Sequence, residues 1–363
     1  MKKRQIIYFL MFVLIVNYQF SHAQIHDFDS LYKNNKDFKK SFKATSDSKG
    51  IFDSEEVLKI TIESDFKNLV KRKYKDEEQP ALFKLYYHDT LVVNRHITIQ
   101  PRGNMRKGSC FFPPLKLNFL KSEVVVKEMK EFDKMKMVLD CKRGKIYEQY
   151  LLSEYYVYKM QNILTDYSFR VRLIQVTYVD ISDKYKTSTR FAFLIENKDQ
   201  LGERLNAIPI DNKNVRDQLT DIPTLANAYL FQYLIGNTDW SIPGRHNLQM
   251  IKSTDPMLTK PYVIPYDFDF AGIVNTNYAI PDENLGISSV TERVYRGVCI
   301  PENEIKSAAK HFMDKKEQIY QLYQNSDLLD KYNSRFTLNY LDGFYKIIEN
   351  ENSLKSYILD SCR

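Results

Sequence analysis

The sequence lacks several features that would place it in a familiar class of protein. Its 363 residues include only 11 Gly and one Trp, against 26 Tyr and 22 Phe, which disfavours both a Gly-rich repeat architecture and a disordered chain. No apolar run reaches the ~20 residues that a membrane-spanning helix needs, so a multi-spanning membrane protein is excluded. The formal charge of +7 is small and spread along the chain, and it gives no argument for a nucleic-acid partner.

Cysteine is also sparse, and none of it is arranged as a metal site. Cys110, Cys141, Cys299 and Cys362 are far apart, without a CxxC pair or a neighbouring His. This spacing disfavours structural zinc and favours disulfides or buried thiols. Two disulfides would allow three connectivities, and the spacing does not choose among them.

The first 23 residues have the layout of a secretory signal peptide. Lys2, Lys3 and Arg4 precede an apolar run over residues 6–16, and the small-x-small pattern cut by signal peptidase ends at Ala23. We therefore expect an exported protein, whether periplasmic, cell-surface or secreted, that begins near Gln24 and has no stable membrane span after cleavage. An uncleaved anchor is the alternative.

Beyond the signal peptide, the pattern predicts an α+β fold. Residues 24–55 are polar and predict a flexible leader. Alternating apolar and polar residues predict an antiparallel sheet with strands at 58–62, 81–87, 92–100, 115–119 and 135–139. A helix is predicted at 147–164, a strand pair at 170–180 and 189–196, a second helix at 223–235, short strands at 247–251 and 262–264, and helices from 301 onward. The expected domains are a β-rich N-terminal lobe over 56–200 and a mainly helical C-terminal lobe over 201–363.

Two groups of residues in the first lobe have the chemistry of phosphate binding. Arg102, Gly103 and Asn104 form a predicted turn at a strand end, with Arg106 beside it, and such a turn can present backbone N–H groups and positive charge to a phosphate. A solvated surface turn is the alternative. The turn is followed by Lys116 on a predicted strand.

The predicted helix that follows carries a possible partner for this lysine. In phosphoryl-transfer enzymes of the kinase type, a strand Lys on the phosphates is oriented by a helix Glu. Glu154 is the candidate for that role, and Glu148 competes with it. Ordinary solvated positions on a strand and a helix are the alternative for Lys116 and Glu154.

A loop after the second strong helix offers a candidate catalytic residue. Asp239 follows Gly236-Asn237-Thr238, and Asn247 comes eight residues later at the start of a predicted strand. An Asp in such a loop can accept the proton of an attacking hydroxyl, and a downstream Asn can bind a metal ion. The only Trp of the chain, Trp240, lies between them.

Two carboxylates further along suit a hard divalent cation. Asp267 and Asp269 flank Phe268 after a short apolar strand, and carboxylate oxygens are ligands that Mg²⁺ prefers. Which of the two binds the metal is left open, although the Pro-Tyr-Asp context slightly favours Asp267. A strand with alternate Asp side chains in water is the alternative.

These residues resemble the CotH family of spore-coat protein kinases and their secreted relatives. The resemblance rests on Arg102-Gly103-Asn104, Lys116, the Asp239 to Asn247 segment and Asp267-Phe268-Asp269, and it covers residues 58–275. Phe112-Pro113-Pro114-Leu115-Lys116 and Leu164-Thr165-Asp166 are similar to a set of exported bacterial proteins of the same group.

The resemblance implies a two-lobed, atypical protein-kinase-like fold that uses ATP and Mg²⁺ or Mn²⁺. Asp239 would be the catalytic aspartate, Asn247 and one Asp of the 267/269 pair would bind the metal, and Lys116 would contact the phosphates. The departures are the missing GxGxxG loop and HRD tripeptide, and an Asp239 to Asn247 gap of eight residues.

Three functions follow as hypotheses. The first is an exported kinase-like phosphotransferase that moves the ATP γ-phosphoryl group to a protein hydroxyl. The second is a catalytically inactive cell-surface binding or structural protein of the same fold, and nucleotide and metal affinity discriminates between the two. The third is an exported metal-dependent hydrolase that uses the Asp pair and binds metal without ATP.

Overall fold

The structure, a computed structural model, describes residues 51–363 except positions 53, 88, 104, 120–133 and 212–214. The predicted signal peptide and most of the predicted leader lie outside the described residues. Within the described part of the chain, no helix is both long enough and apolar enough to cross a membrane.

The described residues form a mixed α+β structure, with strands concentrated before residue 211 and helices after residue 301, as predicted. The strands are β1 (Leu58–Ser64), β2 (Gln79–Tyr87), β3 (Thr90–Pro101), β4 (Leu115–Phe119), β5 (Lys134–Leu139), β6 (Val171–Asp180), β7 (Ser188–Ile195), β8 (Ala207–Ile210), β9 (Leu248–Ser253) and β10 (Tyr262–Pro265). The α-helices are α1 (Phe66–Lys71), α2 (Met105–Ser109), α3 (Lys145–Leu164), α4 (Lys198–Arg204), α5 (Ile222–Ile235), α6 (Glu302–Gln324), α7 (Lys331–Glu349) and α8 (Glu351–Leu354).

The main sheet is a closed barrel with the strand order β1-β2-β3-β4-β5-β7-β6. The sequence predicts an antiparallel sheet, but the sheet of the structure is mixed. Strand β1 pairs antiparallel with β2 and parallel with β6. Alternation along a strand specifies which side chains are buried, but it does not specify the neighbouring strand. Closure of the sheet thus lies beyond what the pattern can predict.

The chain divides into two compact units that are not contiguous in sequence. The first comprises the described residues of 51–102, 116–134 and 172–190. Its buried residues include Ile60, Phe83 and Leu117, and β1 alternates buried and more accessible residues along its length. The predicted lobe boundary near residue 200 stays a prediction.

The second unit comprises Gly103–Leu115, Met135–Val171 and Phe191–Arg363. Helix α5 contacts α6 and α7, and α3 also contacts α6. Ten of the 14 residues of α5 are buried, so this helix is the apolar centre of the unit. Strands β8, β9 and β10 form a separate antiparallel sheet in the order β10-β9-β8.

Three short helices are absent from the sequence-based prediction. Helices α1, α2 and α4 have six, five and seven residues, too few to show a helical period in the sequence. Two of them begin at side-chain caps. Asp65 accepts a hydrogen bond from the Asn68 amide at 2.8 Å, and Asn197 forms a capping box with Gln200.

The cysteines form two disulfides, Cys110–Cys141 and Cys299–Cys362. No free cysteine remains among the described residues. Both disulfides lie within the second unit, and they select one of the three connectivities that the sequence leaves open. The Cys110–Cys141 bond joins the residue after α2 to the second residue after β5.

Candidate active site

The loop that carries Asp239 begins where α5 ends, and local chemistry sets both ends of that helix. Asp221 caps its start, because its carboxylate accepts a hydrogen bond from the Thr224 amide at 3.1 Å. Gly236 ends it in a left-handed conformation with φ 63°, which glycine adopts at little cost. A Cβ atom at Gly236 would lie 2.0 Å from the Tyr340 hydroxyl oxygen. The backbone turn here requires glycine for both reasons.

The first residues of the loop hold Asp239 in place. The Asn237 side chain accepts a hydrogen bond from the Asp239 amide at 3.0 Å. The indole N–H of Trp240 donates to the Asn237 carbonyl at 3.1 Å, and Trp240 is buried beside Tyr229 at 5.7 Å between ring centroids. The single Trp therefore anchors the loop on α5.

The Asp239 carboxylate has a partner on each oxygen. Its Oδ1 lies 2.8 Å from Nε2 of His246, and its Oδ2 accepts a hydrogen bond from Nδ2 of Asn247 at 2.9 Å. The same Nδ2 of Asn247 also donates to the Asp239 backbone carbonyl at 2.8 Å. The Asp239 side chain is 39% exposed, so the carboxylate is oriented and still reachable from solvent.

Strand pairing brings Asn247 close to the Asp267 segment. Leu248 pairs with Pro265 at the end of the β9–β10 ladder, and one step further the Tyr266 amide donates to the Asn247 carbonyl at 3.0 Å. The next amide, that of Asp267, donates to the hydroxyl of Tyr158 on α3 at 2.8 Å. Asp267 has a φ of 66°, an uncommon conformation for a non-glycine residue.

Two further backbone hydrogen bonds join the segment after β10 to the end of α5. The Gly272 amide donates to the Gly236 carbonyl at 3.1 Å, and the Ile273 amide donates to the Ile235 carbonyl at 3.0 Å. A Cβ atom at Gly272 would lie 2.3 Å from the Val290 carbonyl oxygen. The close approach of the Val290 backbone thus explains why residue 272 is glycine.

Asp269 lies in a buried ion-pair cluster. Arg106 on α2 donates from Nε to Oδ2 of Asp269 at 2.8 Å and from Nη2 to Oε2 of Glu154 at 2.6 Å. The Tyr278 hydroxyl donates to the same Asp269 oxygen at 3.2 Å. Arg106, Glu154 and Asp269 are each less than 10% exposed as residues.

Burial and shared charge set the ionisation of this cluster. Burial opposes the charge of Arg106, but the carboxylates of Asp269 and Glu154 hold its pKa above the ordinary arginine value. Burial raises the pKa of Glu154 and that of Asp269, and the Arg106 cation only partly offsets this because it serves two carboxylates. One guanidinium therefore holds two acidic groups that repel each other.

The structure brings some of the predicted site residues together, in two groups. It brings Asp239 to Asn247, and it brings Glu154 to Asp269 through Arg106. Glu148, the alternative to Glu154, lies part-exposed in the first turn of α3. The ion-pair partner of Glu154 is Arg106, and Lys116 lies part-exposed on β4 in the first unit. The predicted role of Lys116 on the phosphates stays a prediction.

The predicted phosphate-binding turn is described only in part. Arg102 follows β3 with a part-exposed side chain, and Gly103 is exposed with a φ of 81°, while Asn104 lies outside the described residues. Arg106, grouped with this turn in the sequence, is instead buried in the cluster. Its guanidinium contacts carboxylates within the protein.

Asn247 and Asp267 carry oxygen atoms of the type that a hard cation such as Mg²⁺ or Mn²⁺ prefers as ligands. Asp267 has a part-exposed side chain. Its backbone amide contacts Tyr158, but no group among the described residues makes a hydrogen bond or ion pair with its carboxylate. Asn247 uses its side-chain nitrogen on Asp239, which leaves its Oδ1 for a ligand. The described residues contain no group of three or more His, Cys, Asp or Glu side chains placed to hold a metal. Mg²⁺ is commonly bound by one or two carboxylates together with substrate phosphates, so this donor set suits it.

Several residues of the site could not be assigned from the sequence. His246 is next to Asn247, yet nothing in the spacing indicates that its ring reaches Asp239. Arg296 contacts the Thr238 carbonyl through its guanidinium and lies 5.9 Å from the Trp240 ring centroid. It comes from a stretch without regular structure or motif. The sequence gives one relevant signal, Gly236 at the end of an apolar helix, which indicates that a loop begins there.

No protein-family model matches the sequence, and no curated protein matches it. Among solved structures, the chain is similar to a crystal structure of a Helicobacter pylori proinflammatory kinase, CtkA, at 12% sequence identity. The similarity covers 72% of this chain and 92% of that chain, with a TM-score of 0.36. Identity and structural similarity at this level establish neither a shared family nor a shared activity.

Proposed function

We propose that the chain is an exported, kinase-like phosphotransferase that moves the γ-phosphoryl group of ATP to a hydroxyl of a protein acceptor. The observation that carries the proposal is the joining of Asp239, Asn247 and the Asp267 segment by hydrogen bonds of 2.8–3.0 Å. These are the residue types that an atypical protein kinase of the CotH type would use as catalytic base and metal ligands. The fold would then be of the two-lobed, atypical protein-kinase-like kind.

Asp239 is the proposed general base. An acceptor hydroxyl would donate its proton to the Asp239 carboxylate as its oxygen attacks the γ-phosphorus and the bond to the ADP leaving group breaks. His246 and Asn247 hold the two carboxylate oxygens, so the base needs little reorientation before the reaction. Its partial exposure leaves room for a protein side chain to approach.

Asn247 and Asp267 would hold the divalent cation. When bound, the metal ion would neutralise negative charge on the ATP phosphates. Asp269 is the weaker candidate, because its carboxylate is already shared by Arg106 and Tyr278. That contact also weakens the metal-hydrolase hypothesis, which needs both carboxylates of the pair. Lys116 and the turn at Arg102 and Gly103 remain the proposed phosphate contacts.

Export of the protein is part of the proposal. Two disulfides suit an oxidising compartment, as does the predicted N-terminal signal peptide. ATP is scarce outside the cytoplasm, so the reaction would use another nucleotide donor or substrates met during export. The final location, periplasmic, cell-surface or secreted, belongs to the same proposal.

The test is Mn²⁺-dependent ATP binding and phosphoryl transfer by the purified oxidised chain from Gln24 onward. Asp239→Asn should keep Mn²⁺ and ATP binding but lose transfer by about 10²–10⁴-fold, because the amide cannot accept the proton of the acceptor hydroxyl. Asp267→Asn should lose Mn²⁺-dependent binding. Asp314→Asn, on the exposed face of α6 beside Lys310, is the matched control and should behave as the wild type.

One outcome would overturn this function, and another would overturn the assignment of its catalytic base. If the wild type binds no nucleotide in the presence of Mn²⁺, the site is not a phosphotransferase site, and the inactive binding-protein hypothesis replaces it. If transfer occurs but is unaffected by Asp239→Asn, the catalytic base lies elsewhere.

A further inference from the structure

The Arg106 cluster connects three segments that are far apart in sequence. Arg106 comes from α2, Glu154 from the middle of α3, and Asp269 from the loop after β10. The two contacts, of 2.6 and 2.8 Å, use separate nitrogens of one guanidinium, whose planar fork can serve two acceptors at once. A lysine at this position would offer a single point charge.

The loop after β10 is held tightly around Asp269. Phe268 is fully buried, with its ring 4.6 Å from that of Tyr158 and 5.5 Å from that of Phe231, measured between centroids. The Thr276 hydroxyl donates to the Asp269 carbonyl at 2.9 Å. With Asp269 turned to Arg106 and Phe268 buried, Asp267 is the carboxylate of this segment that remains available to a ligand.

Helix α2 is too short to fix Arg106 by itself, but its end is covalently anchored. The Cys110 amide donates to the Arg106 carbonyl at 2.9 Å, and Cys110 is bonded to Cys141. The Phe111 amide donates to the Cys141 carbonyl at 2.9 Å. The arginine is therefore held from its own backbone as well as through its side chain.

We propose that Arg106 is a positioning residue of the site: it ties Asp269 to α3 and thereby fixes the backbone from which Asp267 presents its carboxylate. Its guanidinium is engaged by Asp269 and Glu154, so we assign it no contact with nucleotide or acceptor. Its role as a contributor to phosphoryl transfer rests on the proposed function, whereas the mechanical link between Arg106 and the loop does not.

The link is tested by hydrogen exchange without metal or nucleotide. The amides of Asp267, Ala271 and Gly272 are each hydrogen-bonded, so their exchange rates report on the loop. Arg106→Lys should accelerate exchange at these amides by at least tenfold, because one contact is lost. Arg106→Met should do the same or more; if it does not fold, Arg106→Lys and Glu154→Gln carry the test.

The matched control is the Arg204–Glu196 ion pair. Arg204 donates from Nε and Nη2 to the two oxygens of Glu196 at 3.0 and 2.9 Å, and both side chains are largely buried. Arg204→Lys should lower overall stability but leave exchange at residues 267–272 within about twofold of wild type once global opening is subtracted.

A second readout is the affinity for Mn²⁺ alone. Arg106→Lys should weaken Mn²⁺ binding by about tenfold or more, and its fall in kcat should be larger than its change in KM for the acceptor. Arg204→Lys should change neither Mn²⁺ binding nor these two kinetic constants. Unchanged exchange at 267–272 in Arg106→Lys, or an equal rise in Arg204→Lys, would overturn the link. If exchange responds as expected but the wild type binds no Mn²⁺ or ATP, the proposed function fails and the structural link stands.

Discussion

At the scale of single residues, Asp180 illustrates how one buried carboxylate can organise a turn. Its oxygens accept hydrogen bonds from the amides of Phe66, Lys184 and Tyr185 at 2.9 Å, and from the Ser182 hydroxyl at 2.8 Å. Burial raises the pKa of Asp180, but these hydrogen bonds, led by that from the Tyr185 amide, outweigh it and hold the pKa below the ordinary value. The ionised form therefore stabilises the fold.

Asp180→Asn should lower the free energy of unfolding by roughly 3 kcal/mol at pH 7, because the amide nitrogen cannot accept these hydrogen bonds. The wild type has this stabilisation above the unfolded-state pKa of about 3.9 and loses it as pH falls through the lower folded-state pKa. Urea unfolding at pH 7 and pH 3 should thus show a smaller difference between the two proteins in acid.

Asp89→Asn, at an exposed carboxylate, is the control for this measurement and should leave stability nearly unchanged. An Asp180→Asn protein with the same loss of stability at both pH values would contradict the assignment.

The candidate site shows what residue types alone can predict. Asp239, Asn247 and Asp267 could be selected as candidates because each follows or precedes regular structure, and their catalytic and metal-binding roles stay predictions. The ion-pair partner of Glu154 was not identifiable, since Arg106 and Lys116 are both cations near one turn in the sequence. Only the three-dimensional structure shows that Arg106 is buried and reaches Glu154.

At the scale of elements, the end of α5 is sensitive to substitution. Gly236→Ala should lower the free energy of unfolding by about 3 kcal/mol, from the left-handed conformation and from the clash with the Tyr340 hydroxyl. Because Asn237 and Asp239 follow directly, Mn²⁺-dependent transfer should fall as well. Thermal unfolding and the transfer assay together measure both effects.

Gly286 provides a matched control for that substitution. It also has a positive φ, 66°, but a Cβ atom there would meet nothing within 4 Å. Gly286→Ala should therefore cost only about 1 kcal/mol and leave transfer unchanged. If the two variants lose the same free energy of unfolding, the contact with Tyr340 does not contribute to the effect of Gly236→Ala.

The elements themselves were predictable where they are long and periodic. The strands from β1 to β7 and the helices α3 and α5 match the predicted positions to within a few residues. Short elements such as α2 were missed, because five residues contain little more than one helical turn. Pairing between distant strands, as in β1 with β6, has no signature in either strand alone.

At the scale of the whole molecule, the two disulfides should contribute strongly to stability. Their sequence separations are 31 and 63 residues, for which loop-closure entropy predicts about 4 kcal/mol each, slightly more for the longer loop. The double variants Cys110→Ser with Cys141→Ser, and Cys299→Ser with Cys362→Ser, should each lose about this much in guanidinium unfolding.

Wild-type protein reduced with dithiothreitol provides the comparison for these variants and should lose the sum of the two effects. A loss below about 1 kcal/mol in either double variant would contradict the loop-closure account. The Cys110 and Cys141 variant should in addition show faster exchange in the loop after β10, through Arg106.

Closure of the barrel also sets a stage of folding at which the chain is vulnerable to aggregation. Strand β1 lies close in sequence to β2, but its other edge waits for β6, where Ile60 meets Val176. Pairing between strands so far apart in sequence forms slowly, because the intervening chain must first be ordered. Until β6 pairs, the open edge of β1 can pair with a neighbouring chain, so aggregation should begin from incompletely folded protein and be far slower once the barrel is complete.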